Sequence, residues 1–473
     1  MNVMHLSAEC YPVAKVGGLG DVVGALPKYQ CKAGINASVV LPYYDRKFVR
    51  ENTFDLEFKS SLTVGKQVYN YQILKESKSQ LGFDLFLIHI PGLLDRPEIY
   101  SYPDEIEQFI GFQICFLDWI VKSDSKPDII HCHDHHSGLV PFLVLHAYPF
   151  KSLAGIPTVC TIHNAEYQGW LGWDKVGLLP EFDSSKSDLL NWATCINSLA
   201  ASVKCARKFT TVSPSYLEQL SLNSNGLERL FQEEKWKGLG IINGIDTQIW
   251  NPNKDLMIYK NYSIATVDQG KQENKTQLCQ AFGLNPEKPL FIFIGRLVVE
   301  KGADLLPELI NSCQKNFEGE LNLLILGSGD LPTEKKLREI SLKHSKHYGL
   351  YIGYNEELAH RMYAGADFLL MPSRVEPCGL NQLYALCYGT VPIVHETGGL
   401  KDTVVDLENK DGYGLSFDNL SLECLIQAIE RALELYSDQE KVTATREKMM
   451  ALDFSWDQSS KEYIKLYKNI LSG

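Results

Sequence analysis

The chain has 473 residues, a formal net charge of -12 and a pI near 5.5, with 45% hydrophobic and 22% charged residues. That length exceeds one ordinary core and predicts two domains, while the acidic balance argues against a nucleic-acid binder. No apolar run reaches membrane-spanning length, the amino terminus lacks the regions of a secretory signal, and the twelve cysteines include no C-x-x-C pair, so a cytoplasmic protein with reduced thiols is expected.

A first strand is read at 3–7, then a loop from Glu9 to Asp21 containing Lys15-Val16-Gly17-Gly18, then a helix through Leu26. Gly18-x-Gly20-x-x-Val23 approaches a dinucleotide fingerprint, but the third glycine is missing and the loop is too long for that tight turn. A phosphate cradle with one fixed lysine is the functional alternative; a glycine loop with a surface lysine is the reading without function. Strands follow at 37–41 and 84–91, and alternation over 54–74 around Gly65-Lys66 predicts a hairpin between them. Ile106, Phe109, Ile110, Ile114, Leu117 and Ile120 recur at helical spacing over 105–121 and read as core.

The strand at 128–134 runs into His131, His133, Asp134, His135 and His136. Alternation would put His131, His133 and His135 on one side, a zinc-like pattern, if the strand continued; its expected end near His133 argues against a metal. A strand over 157–164 ends T-I-H-N at Asn164 and is followed by A-E-Y-Q-G at Gly169. Trp170 and Trp173 lie in the next loop, suited equally to a sugar ring or to the core. A helix is read at 189–206, a strand at 208–213, a helix capped by Ser213 with Pro214 in its first turn, and a strand at 240–243 leading into the turn N-G-I-D at Asp246.

The polar stretch 268–275 leads into a helix. A new buried strand at 289–295 ends in Gly295-Arg296, and Lys301 follows five residues on, so two cations flank one turn. Strands are read at 321–327 and 349–354, with a helix at 355–366. Residues 367–400 then read as strand, polar loop with Arg374 and Glu376, a helical pattern from Cys378 to Gly389, a strand at 391–395, and a helix opened by Thr397-Gly398-Gly399. Both loops follow the carboxyl ends of strands, where open α/β sheets bind ligands; a carboxylate at one and paired glycines at the other suit a ligand carrying hydroxyls and phosphates. An amphipathic helix at 456–471 closes the chain.

E-P-C-G-L from Glu376, T-G-G-L from Thr397, K-V-G-G-L from Lys15, D-R-P-E-I-Y ending at Tyr100, the H-N-A-E-Y-Q-G run from His163, N-G-I-D from Asn243 and G-R-x-x-x-x-K-G from Gly295 together resemble the bacterial glycogen synthase and plant starch synthase family. The chain departs from that pattern at Val16 and Asn381, where the family commonly has threonine, and at His395, where another basic residue is expected.

The resemblance implies a GT-B fold: two Rossmann-like α/β domains facing across a deep cleft, spanning 1–242 and 243–455, with a helix at 456–473 packing back on the first. It implies retaining transfer of glucose from ADP-glucose to the non-reducing end of an α-1,4-glucan, with no cofactor and no protein-bound metal. The implied catalytic residues are Glu376, His163, Lys301, Arg296 and Asp134. Donor binding falls to Lys15, Gly17, Gly18, Asp21, Asn164, Asn243, Gly353, Tyr354, Cys378, Gly379, Leu380 and Asn381, and acceptor binding to Glu9, Tyr100, Tyr167 and Gln168. ADP-glucose and α-1,4-glucan are the expected partners, with no nucleic acid and no membrane. Two alternatives are a UDP-sugar transferase of the same fold and a glucan-binding homologue without activity.

Overall fold

A computed structural model describes all residues, Met1–Gly473. The chain divides into two compact units, Met1–Gly244 with Trp456–Gly473, and Ile245–Ser455. The boundary after Gly244 lies two residues beyond the one read from sequence, and the last helix belongs to the first unit.

In unit 1 the strands are β1 Asn2–Leu6, β2 Asn36–Pro42, β3 Phe54–Val64, β4 Gln67–Glu76, β5 Asp84–His89, β6 Ile129–His133 and β7 Thr158–Ile162. They are followed by β8 Trp170–Leu171, β9 Asn191–Trp192, β10 Cys195–Asn197, β11 Lys208–Thr211 and β12 Gly238–Gly240. Nine form one sheet, ordered β12-β11-β7-β6-β1-β2-β5-β4-β3, parallel except for the β3–β4 hairpin on its edge; β8, β10 and β9 form a small antiparallel sheet. Alternation assigns the two faces. Met4, Leu6, Ile130 and Cys132 pack with the helix Glu105–Lys122, whereas Val3, Ile129 and Val159 pack with the helices Gly18–Lys32 and Trp456–Ser472. The chain fills the sheet from β1 outward through β2 and β5, then returns to add β6 on the other side of β1. This leaves a switch point between β1 and β6, where the loops after the two strands diverge.

In unit 2, β13 Leu290–Ile294, β14 Asn322–Gly327, β15 Tyr348–Ile352, β16 Phe368–Met371, β17 Val391–His395 and β18 Leu415–Phe417 make an all-parallel sheet ordered β15-β14-β13-β16-β17-β18. Its strands are apolar on both faces because helices cover both: Phe291 and Phe293 look into one core, Leu290 and Ile292 into the other. The switch point falls between β13 and β16.

Two readings need correction. Residues 189–206 are not one helix. Ala193 and Thr194 take left-handed backbone, breaking the segment into β9 and β10, and the helix begins at Ser198, capped by Asn197 Oδ1, which accepts from Ala200 N–H at 2.8 Å. The polar stretch 268–275 does not lead into a helix but lies inside one, Val267–Phe282. There Lys271 is fully buried, donating to three carbonyls and Thr390 Oγ1, and Lys275 donates to Asp367 Oδ2 at 2.7 Å. The charges that look solvated in sequence tie this helix to the start of β16, where Arg446 donates to the other oxygen of Asp367.

Candidate active site

In unit 1 the loop after β1 folds around one carboxylate. Glu9 Oε2 accepts from the amides of Val16 and Gly17 at 2.6 and 2.9 Å, and Glu9 Oε1 accepts from Tyr100 O–H at 2.7 Å. Tyr100 in turn stacks on His136. Glu9 is only 3% exposed. Glu9 and Tyr100, read as acceptor-binding, here bond to each other and brace the loop, and the amides of Val16 and Gly17 are given to Glu9. Lys15 Nζ donates to Asp21 Oδ1 at 2.6 Å. The helix starts at Gly18, and the amides of Gly18 and Leu19 keep the unpaired donors of any first turn. A methyl group at Gly17 or Gly18 would meet no protein atom within 4 Å, so nothing inside the chain requires glycine at either position. Gly24 is the opposite case: a side chain there would strike the Tyr11 carbonyl. It supplies the close packing that the fingerprint's third glycine would have given, one residue later than the spacing predicts.

β6 ends at His133, and His135–Ser137 form a turn of 3-10 helix, so His135 leaves the line of His131 and His133. His5, on adjacent β1, joins those two instead; ring nitrogens of the three lie within 4.8 Å of one another, close enough for a metal. These nitrogens are already engaged in hydrogen bonds. Asp134 sits at φ 55°, ψ -171°, a conformation costing on the order of 1–3 kcal/mol for a residue with a side chain. Its Oδ1 accepts from the amide of His163 at 2.7 Å, holding the end of β7 against the end of β6. Burial pushes the Asp134 carboxyl up to about 7, against the lowering effect of the His163 and Asn164 amides. Burial pulls His163 down to about 3, so its ring is neutral.

The H-N-A-E-Y-Q-G run separates on folding. Asn164 Oδ1 caps its own turn by accepting from Glu166 N–H, and Tyr167 is 59% exposed. Gln168 is buried: its amide donates to the Ala165 and Ser224 carbonyls, and Asn197 Nδ2 donates to its oxygen. Gln168, read as acceptor-binding, is placed as an internal pin between loops. Trp170 is exposed in β8, while Trp173 packs on the core and donates to Asn191 Oδ1. Asn243 is buried with its Oδ1 unpartnered, the kind of orphaned acceptor that native interiors seldom leave without a ligand or water.

In unit 2 the loops after β13 and β16 meet at the switch point. Lys301 Nζ donates to both oxygens of Glu376 at 2.6 Å, and Ser373 Oγ donates to Glu376 Oε2 at 3.1 Å. Lys301, read as sharing an anion with Arg296, is paired with Glu376, and exposed Arg296 forms no ion pair. Glycines make this approach possible. Gly302, at φ 69°, lies so close to the Pro372 carbonyl that no side chain would fit. Gly399 presses on Cys378 in the same way, and its amide donates to the Glu376 carbonyl at 3.0 Å. Gly399 thus serves close packing, and its amide is taken by the Glu376 carbonyl.

Cys378 is buried, Gly379 takes φ 73°, and Leu380 precedes the helix Asn381–Cys387. Asn381, read as donor-binding, donates from Nδ2 to the Ile294 carbonyl at 2.7 Å and so ties this helix to the end of β13. His395 donates from Nδ1 to the Ser373 carbonyl, orienting the Glu376 loop. Gly353 follows β15 at φ 135°, and Tyr354 is 81% exposed.

Residues 2–233 match the family described as starch synthase catalytic domain, and residues 274–449 match glycosyl transferases group 1. A curated glycogen synthase from Flavobacterium johnsoniae is 52% identical over 471 residues, covering 100% of this chain and 99% of that one. Another from Thermodesulfovibrio yellowstonii is 36% identical, with 100% and 98% covered. Among solved structures, the catalytic domain of starch synthase IV from Arabidopsis thaliana, bound to ADP and acarbose, superposes with a TM-score of 0.89 at 31% identity, covering 100% of this chain and 99% of that one.

Proposed function

Because the chain belongs to the glycogen synthase and starch synthase family of GT-B glycosyltransferases, we propose that it transfers glucose from ADP-glucose to the non-reducing end of an α-1,4-glucan, retaining configuration and releasing ADP. The observation that carries the reading is the unit 2 switch point, where an unpaired arginine and a lysine-bound carboxylate occupy the loops after β13 and β16. The chemical task is to stabilise a departing diphosphate while positive charge grows on the sugar ring. Arg296 meets the diphosphate. Lys301 bridges that anion and Glu376, so the carboxylate and the leaving group are held by one cation. Within unit 1, the residues assigned roles are Lys15 toward a phosphate, Asp134, and His163 toward a sugar. With these fixed cations the reaction requires no resident metal or cofactor.

Glu376 acts on the ring electrostatically and through sugar hydroxyls. A carboxylate with both oxygens bound by lysine is a poor nucleophile, and the departing phosphate can take the acceptor proton in a same-face attack. The two-displacement route of retaining glycosidases would instead leave a glucosyl adduct on the carboxylate. The cytoplasm is the proposed compartment, supported by twelve free cysteines; no helix is long and apolar enough to cross a membrane.

The test is incubation with ADP-glucose or UDP-glucose and glycogen, reading released nucleotide. ADP-glucose should be used at least about tenfold better, roughly 1.4 kcal/mol of transition-state discrimination. Equal or reversed preference overturns the donor, and glucan binding without turnover overturns the catalysis.

A further inference from the structure

Beneath the end of β7, on the sheet face covered by the helices Gly18–Lys32 and Trp456–Ser472, four polar side chains form a continuous line. Gln30 Oε1 lies 2.8 Å from His5 Nε2, His5 Nδ1 lies 3.0 Å from His133 Nε2, and His133 Nδ1 lies 3.0 Å from His163 Nε2. Gln30 Nε2 donates to Tyr467 O–H at 3.2 Å, which ties the amide to the C-terminal helix across 437 positions of sequence. His5 and His133 are fully buried, while His163 reaches 9% exposure, and its Nδ1 has no hydrogen-bond partner in the chain.

A neutral imidazole donates from one nitrogen and accepts at the other, so the line has a direction. The Gln30 oxygen only accepts, which puts the proton of His5 on Nε2. His5 Nδ1 must then accept from His133 Nε2–H, and His133 Nδ1 must accept from His163 Nε2–H. The proton of His163 is thereby directed inward, and a bare Nδ1 is left at the open end. Burial keeps the rings neutral, holding His5 at about 4 and His163 at about 3. The same engagement leaves no lone pair of His5 or His133 for a metal.

We propose that Gln30, oriented by Tyr467, is a positioning residue that sets the tautomer of His163 through His5 and His133, so that His163 meets the donor sugar only as a hydrogen-bond acceptor, from a sugar hydroxyl to Nδ1. This rests on the reading that His163 contacts the donor. It gives the returning C-terminal helix a role in the reaction besides packing: with its proton given to His131 Nδ1, 2.6 Å away, the Tyr467 oxygen is left to accept from Gln30 Nε2, which turns the amide oxygen toward His5.

The experiment is nitrogen NMR of the full chain labelled at histidine, with His163 assigned by its loss in His163→Gln. The parent should show a bare, pyridine-type Nδ1 and a protonated Nε2. Gln30→Met removes the only acceptor that polarises the line and should give a mixture of the two tautomers. Its kcat should fall about three- to tenfold, the size of one misdirected hydrogen bond, with the glucan KM unchanged. Tyr467→Phe, which frees the amide to turn over, should give a mixture as well. A parent His163 protonated on Nδ1, or a Gln30→Met spectrum identical to the parent, would overturn the proposal, and the parent spectrum decides even if a variant folds poorly. Full activity in His163→Gln would overturn the donor contact instead, while the ring spectra still judge the relay.

Discussion

Lys301 and Glu376 lie 75 positions apart in sequence and share a bidentate contact of 2.6 Å. Replacing Lys301 with alanine removes a cation from the carboxylate and, on the function proposed above, from the diphosphate as well. It leaves Glu376, which is only 8% exposed, with Ser373 as its remaining side-chain donor. The expected loss is about 3 kcal/mol or more in kcat/KM, the scale of one preorganised charge contact in a transition state. Steady-state kinetics within twofold of the parent would return Lys301 to a structural role. Gln168 should behave in the reverse manner. Its buried amide ties Ala165, Ser224 and Asn197 together, so Gln168→Ala should lower unfolding stability by about 1–3 kcal/mol in urea titration. The glucan KM of the folded enzyme should stay near the parent value; a large rise in KM with unchanged stability would restore the acceptor role.

The helix Gly18–Lys32 contains one glycine that close packing requires and another that it does not. Gly24 carries a packing constraint against Tyr11, whereas Gly18 faces open space and lies on the first turn, where alanine is the better helix former. Gly18→Ala should therefore leave the melting temperature unchanged or slightly higher, while nucleotide affinity falls several-fold because the methyl occupies the approach to the free amides. Calorimetric titration with ADP reads the second effect and a thermal melt the first. Unchanged ADP affinity would show that this helix start is not a phosphate site.

The molecule as a whole carries an acid liability concentrated in unit 1. Burial holds His5 and His135 at about 4 and His163 at about 3, and pulls His131, His133 and His136 well below the ordinary 6.5. Below pH 6.5 the unfolded chain binds protons that the folded chain refuses, so stability falls with falling pH, by up to about 1.4 kcal/mol per pH unit for each histidine. Asp134 runs the other way. Its folded value of about 7 contributes stability that is full below the unfolded carboxyl value and lost as pH rises through 7, offsetting one histidine in that window. Six histidines outweigh one carboxyl, so the urea midpoint should be lower at pH 5 than at pH 7.5; an equal or higher midpoint at pH 5 would mean that these rings are not held neutral. Metal removal tests the same cluster differently. EDTA-treated enzyme should keep most of its activity, and loss that zinc restores would assign a metal to His5, His131 and His133.

Local pattern determined the strands and most helices, because parallel strands buried on both faces read as unbroken apolar runs and helix starts carry their own caps, as at Ser213 and Asn355. The spacing of motifs such as the one from Gly295 to Gly302 also places the site loops at the carboxyl ends of their strands. Side-chain partners were not legible in that way, since each depends on a residue far away in sequence. Glu9 and Gln168 read as unpartnered polar groups until Tyr100 and Asn197 are found beside them, and Lys271 resembles a solvated lysine until three carbonyls surround it. Local spacing joined His131 to His133 and His135, yet the tertiary fold ended β6 at His133 and set His5 beside it from the next strand. Periodicity describes which face a residue occupies; only the packed sheet decides what stands opposite it, and thereby whether a polar group is free to act on a substrate or is already satisfied by the protein.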